Sequence, residues 1–169
     1  MSFKYLGANV TSNRNLKNEV KAQTKNASLI SCYWRDVFWR NKYMSTRSKV
    51  KTCVRPVMTY AVETRAENTV TKRLLRTTEM RALRSIAGYT LLNRKRNEEI
   101  REISDIQDVV RWARKRRRAW RDHVDRMSDD RLAKIAQEEK PNTSRPPGRP
   151  PTRWYESWSS SSQQQLENH

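Results

Sequence analysis

The chain has 169 residues, with 36 Lys plus Arg against 18 Asp plus Glu, a net charge of +18 and a pI near 10.6. That imbalance speaks about partners: a polyanion is favoured, nucleic acid ahead of an anionic membrane surface. No apolar run approaches the length of a membrane span, MSFKYLGANV lacks the pattern of a signal peptide, and Cys32, Cys53, His123 and His169 make neither a disulfide framework nor a spaced zinc site.

The expectation is a soluble intracellular protein, neither secreted nor membrane-bound, with no cofactor and with both cysteines as small buried apolar residues. With 35% apolar residues and only 3 glycines, any core must come from helix stripes. The expected fold is mainly α: a loose helical bundle with a short N-terminal strand and a Pro-rich extended C-terminal arm.

Residues 3–10, FKYLGANV, read as a single strand without a ladder partner in this chain. From Leu16 the apolar positions Val20, Ala27, Ile30, Trp34, Val37 and Phe38 recur every three or four residues, with Gln23 as a polar gap; this predicts a helix of about six turns, capped by Asn13 or Asn15. Ser45 caps a second helix with Val50, Cys53, Val54, Val57, Met58 and Ala61 on its apolar face, and Pro56 should kink or divide it. A third runs from Asn68 or Thr69 through Val70, Leu74, Leu75, Met80, Leu83 and Ile86 to a stop at Gly88. Asn97, followed by Glu98 and Glu99, reads as the cap of a short helix holding Ile100 and Ile103.

The longest remaining helix is expected from about Ile106 to Met127, with Val109, Val110, Ala113, Trp120 and Val124 on one face. Inside it RWARKRRRAWR, residues 111–121, packs seven cations into eleven residues with almost no interleaved acid. Such density favours phosphate binding over a solvated basic face, and its contacts should be independent of base sequence because few Asn or Gln side chains are present to read base edges. The binding candidates are Arg111, Arg114, Lys115, Arg116, Arg117, Arg118 and Arg121. Arg117 falls on the apolar stripe and is expected at its margin. Trp120 reads as core, and Trp112, off the stripe, as the better candidate for stacking on bases. His123 reads as a packed or hydrogen-bonded residue, because no nucleophile or metal partner is spaced to serve it.

A short helix follows from Asp130 to Glu139. PNTSRPPGRPPT then places five prolines in twelve residues, a stiff arm whose Arg149 and Arg153 add weak phosphate contacts. GRPP echoes minor-groove hooks, but Pro147 stands where hooks carry a basic residue, so a stiff linker is favoured. WYESW offers one amphipathic turn, and the polar tail reads as disordered.

Taken in order, FKYLGANVTSNRNLKNEVKAQ, VKTCVRPVMTYAVET, TTEMRALRSIAGYTLLNRKRNEEIREI, RRRAWRDHVDRM and GRPPTRW resemble the carboxy-terminal part of non-LTR, LINE-type retrotransposon reverse transcriptases, over residues 3 to about 158. The resemblance implies a primer-grip turn at Tyr5, Leu6 and Gly7, a helical thumb that tracks the template–primer duplex, and a downstream extension around His123, Arg126 and GRPPTRW that holds template RNA or target DNA. It implies a parent enzyme that is an RNA-directed DNA polymerase using deoxynucleotides and magnesium. The catalytic palm and the endonuclease have no counterpart here, so no catalytic or metal-binding residue is expected, and this chain alone should not be an enzyme.

The hairpin partner of the strand would belong to that palm, and Met1 just before FKYLG fits a reading frame from a truncated element. Arg65 replaces the Trp common in relatives after ET, removing an aromatic from the second helix. Asp122 replaces a common Gly and places a carboxylate in the basic face. The resulting division is 1–12, a remnant strand resembling the primer grip; 13–90, a thumb-like helical region; 91–139, a basic helical extension; 140–158, a Pro-rich arm with a Trp turn; and 159–169, a disordered polar tail. The expected partner is RNA or an RNA–DNA duplex bound without sequence selection, and the basic runs are compatible with nuclear import. The alternatives are a non-functional transposon remnant, or a protein-interaction module using the strand and the apolar face around Trp34 and Phe38.

Overall fold

The structure, a computed structural model, describes residues 2–5, 8–11, 16–138 and Gly148. It is mainly α. The segment expected as one strand is instead a hairpin: β1 (Ser2–Tyr5) pairs antiparallel with β2 (Ala8–Thr11), Phe3 opposite Val10 and Lys4 opposite Asn9. Only residues 6 and 7 separate the strands, the shortest common hairpin connection. The ladder partner therefore lies within the same eight-residue stretch.

Helix α1 (Leu16–Tyr33) buries Val20 and Ala27 together with the polar Gln23 and Thr24. It ends earlier than its apolar spacing predicts. A π-type turn over Arg35–Trp39 carries an extra residue per turn, which shifts the inward phase so that Trp39 is buried while Val37 is 83% exposed. The Trp39 indole Nε1 donates to the Ser31 carbonyl at 2.8 Å and fixes that phase.

Ser45 caps α2 (Thr46–Lys49), its Oγ accepting from the Ser48 amide at 3.1 Å. Pro56 divides the expected second helix. Without a proline N–H to continue the ladder, the chain widens into a π-type turn over Val50–Val54, the Arg55 amide reaching the Val50 carbonyl, and resumes as α3 (Arg55–Met58). The inward face of Val50, Val54 and Met58 survives the change.

Helix α4 (Thr69–Ala87) begins where Asn68 Oδ1 accepts from the Thr71 amide at 2.9 Å and ends at Gly88, whose φ of +75° suits a residue without a Cβ. In α5 (Asn97–Ser104) the cap is Arg96, one residue before the expected Asn97, and the Asn97 side chain accepts from Arg84 instead. Asp105, at φ +49°, turns the chain. Asp108 Oδ1 then accepts from the Val110 and Arg111 amides, both at 3.0 Å, so α6 (Val109–Asp125) starts three residues later than predicted. Helix α7 (Leu132–Glu138) returns toward the end of α6 through Gln137 and Asp125.

Val20, Trp39, Val54, Met58, Leu75, Leu83, Ile100, Ile106 and Val109 share one hydrophobic cluster, so α4 is packed from several sides. Burying each large side chain contributes about 1.5–3 kcal/mol. Cys53 packs against this cluster but Cys32 is exposed, correcting the expectation that both are buried. Among the described residues no helix is long and apolar enough to cross a membrane.

Candidate nucleic-acid interface

Helix α4 turns Leu75, Glu79 and Leu83 inward, and its 3.6-residue period leaves a cationic outer side. That side floors a groove of about 1230 Å³ between α4, α5 and the start of α6. Lys72, Arg73, Arg76, Arg81 and Arg84 come from α4. Arg111 and Arg114 come from α6, and Arg35 and Arg101 complete nine cations against two acids, Glu98 and Asp108, among the described residues.

The groove cations differ in what already holds them. Arg76 Nε donates to Asp108 at 2.9 Å and Arg101 Nη2 to the same carboxylate at 3.0 Å. Arg84 donates to Asn97 and to the Lys95 carbonyl. Burial pushes the Asp108 carboxyl upward, but the Arg76 hydrogen bond and the Arg111 amide more than offset this and hold it below the ordinary aspartate value. By contrast, Arg73, Arg81 and Arg111 are exposed and make no ion pair with any described residue. Lys72 has its pKa lowered, first by burial and then by the neighbouring Arg114. An incoming anion would relieve that repulsion.

The run from Arg111 to Arg121 does not form one surface. Lys115 and Arg118 are exposed, and helical spacing places them on the side of α6 that carries Arg111 and Arg114. Arg116 is taken by Glu63 Oε1, from Nε at 3.0 Å and from Nη2 at 2.9 Å. Arg121 lies 3.5 Å from Asp125 and 3.8 Å from Asp122. Arg117, expected among the phosphate ligands, is 0% exposed: its Nε donates to the Val62 carbonyl at 2.9 Å and its Nη2 sits 3.1 Å from Glu67 Oε2. Its position on the apolar stripe takes it into the core, and Glu67, also 0% exposed, supplies the counter-charge there.

Trp112 and Trp120 are both half-buried, so Trp120 is not the core residue expected of it. Trp112 is half-buried with the Arg55 guanidinium 5.4 Å and the Arg116 guanidinium 6.0 Å from its ring centroid, so its ring is already engaged by cations. Trp120 is not enclosed in the core: it lines a small open recess with His123, whose ring centroid is 5.6 Å away. Of the remaining candidates, Tyr5 ends β1, while Leu6, Gly7, Arg149 and Arg153, with the Pro-rich arm, lie outside the described residues.

Two buried polar clusters set the helices around the groove. Glu79 accepts from Arg55 at 2.8 Å through Oε1 and from the Val109 amide at 3.1 Å through Oε2, joining α3, α4 and the start of α6; Arg55 also donates to the Gln107 carbonyl. Burial pushes the Glu79 carboxyl above its ordinary value against the pull of Arg55. In the second cluster Arg65, 5% exposed, donates to Gln23 of α1 and lies 3.4 Å from Glu67. Burial lowers its pKa, with Glu67 opposing. Arg65 thus makes a polar tie between α1 and the loop before α4.

The cations of α4 were missed from sequence because the denser run in α6 drew the reading. Their signal was present: in TKRLLRTTEMRALR the residues Arg73, Arg81 and Arg84 fall on the side away from Leu75, with Arg76 on its flank. Among the described residues no group of three or more His, Cys, Asp or Glu could hold a metal ion.

Over 109 residues the chain is 32% identical to a Caenorhabditis elegans protein described as an uncharacterized transposon-derived protein. The match takes in 62% of this chain and 39% of that relative, so this chain spans well under half of the relative's length. The similarity is consistent with a transposon origin. No protein-family model matches the chain, and no solved structure does.

Proposed function

We propose that this chain is the thumb and downstream extension of a non-LTR retrotransposon reverse transcriptase, and that it holds nucleic-acid backbone in the groove between α4, α5 and α6 without selecting sequence. The carrying observation is the groove's content, nine cations against two acids. Arg73, Arg81 and Arg111, exposed and without a paired acid among the described residues, are the contacts with most to offer phosphate. Arg114, Lys115 and Arg118 extend the same side. Guanidinium and ammonium contacts of this kind work through counterion release and fix position, not sequence.

The test is binding to a labelled RNA–DNA heteroduplex across a salt series, with an Arg73, Arg81 and Arg111 to Ala variant beside the wild type and both checked for cooperative melting. Each lost phosphate contact reduces the salt slope by about 0.9 on duplex DNA, so the triple variant should lose roughly two to three units of slope. Salt-insensitive binding, or a folded variant that binds as the wild type does, sinks the reading. A second reading, a protein-interaction module, draws on the ridge of Leu29, Tyr33 and Val37, which are 45%, 80% and 83% exposed. It predicts partner binding that survives high salt.

A further inference from the structure

We infer that the recess beside Trp120 is a second nucleic-acid subsite, one that takes a single unpaired base from a strand leaving the groove; this rests on the groove reading. The recess has a volume of about 200 Å³ and is lined by Glu63, Arg116, Ala119, Trp120 and His123. That is below the usual size of a small-molecule pocket and suits one planar ring.

Its chemistry is the reverse of the groove's. The Arg116 guanidinium is neutralised by two hydrogen bonds to Glu63 Oε1, so the wall offers little net charge to a phosphate. The Trp120 and His123 rings, inclined at 46°, supply aromatic surface. Ala119 keeps the space between them and Arg116 open. Arg116 is also fixed 6.0 Å from the Trp112 ring, so the wall does not have to be ordered when a base arrives. On α6 the helical period sets Arg116, Trp120 and His123 on a different flank from Arg111 and Arg114. A strand gripped by phosphate on one flank can thus present a base to the other, as single-strand binders combine a basic track with aromatic platforms.

The experiment compares the full chain with Trp120→Ala and Trp120→Phe for binding to an unstructured single-stranded RNA and to a blunt heteroduplex of equal length, after thermal melts confirm folding. Trp120→Ala should weaken single-strand binding about tenfold, within the range of one stacked base, and leave the blunt duplex within about twofold. Trp120→Phe should recover most of the loss, and His123→Ala should lose less than Trp120→Ala. Equal binding of single strand by wild type and Trp120→Ala overturns the subsite, as does an equal loss on both probes. Wild-type protein that binds duplex but not single strand overturns the subsite and leaves the groove; wild-type protein that binds neither overturns both.

Discussion

Arg111 and Arg117 stand on the same helix, within one run of cations, and have opposite environments. Arg111 opens into the groove with no described acid to hold it. Arg117 is enclosed with Glu67 and the Val62 carbonyl. The difference teaches that a cationic run is not a surface: at 3.6 residues per turn, six residues leave the side chain about a third of a turn away around the helix. One arginine is available to a partner, and the other holds α6 to the loop before α4.

The largest expected effect comes from breaking the enclosed side. Arg117→Ala takes away the closer of the two cations that face buried Glu67, leaving it only Arg65 at 3.4 Å, and should destabilise the fold by about 3 kcal/mol, read by chemical denaturation. The double variant Arg117→Met with Glu67→Leu removes both charges but takes the carboxylate from buried Arg65, which keeps its hydrogen bond to Gln23, so it should recover part of that loss. Its heteroduplex binding should match wild type once both are folded. A double variant that folds but loses binding would place Arg117 among the ligands and erase the distinction.

Asp108 sits on the border between the two environments, capping α6 while drawing Arg76 and Arg101 away from the groove. Asp108→Asn should cost about 2 kcal/mol at neutral pH through lost charge-assisted hydrogen bonds. Because the folded carboxyl holds its proton less tightly than the unfolded one, its stabilisation is complete above the ordinary carboxylate range and drains away as pH falls through that range to the depressed folded value. Glu79 runs the other way: its raised folded value gives a contribution that is full below the ordinary range and shrinks as pH rises through it. The Asn variant should therefore flatten the acid limb of Tm against pH and bind heteroduplex more tightly, since two arginines lose a competing carboxylate. An unchanged acid limb would remove Asp108 from the border.

What could be read from sequence follows the range of the interactions involved. The caps at Ser45 and Asn68, the stop at Gly88 and the division at Pro56 are decided within a few residues, and they are found where the sequence places them. The phase of Arg117 was legible too, but its partner Glu67 lies fifty positions away and nothing local announces it. The same distance hid the roles of Trp112 and Trp120. The first is engaged by Arg55 from α3 and by Arg116, and the second faces a recess closed by Glu63. The early end of α1 depends on a π-type turn that spacing at three and four cannot reveal. Most of the groove is not legible locally because it joins three helices, and only Arg111 and Arg114 of its nine described cations belong to the run at residues 111–121.

The smallest expected change in stability sharpens the comparison most. Arg73, Arg81 and Arg111 are exposed and without a described ion-pair partner, so replacing each by Ala should alter stability by no more than about 0.5 kcal/mol. Relief of repulsion among neighbouring cations could make the change slightly favourable. Yet this is the variant expected to lose roughly two to three units of salt slope on heteroduplex. Measured by denaturation and binding on the same preparation, it should give near-wild-type stability with impaired binding, whereas the Arg117 and Glu67 double variant should keep its binding. Substantial destabilisation in the groove variant would mean that its arginines hold the fold after all, and any binding defect would then report unfolding.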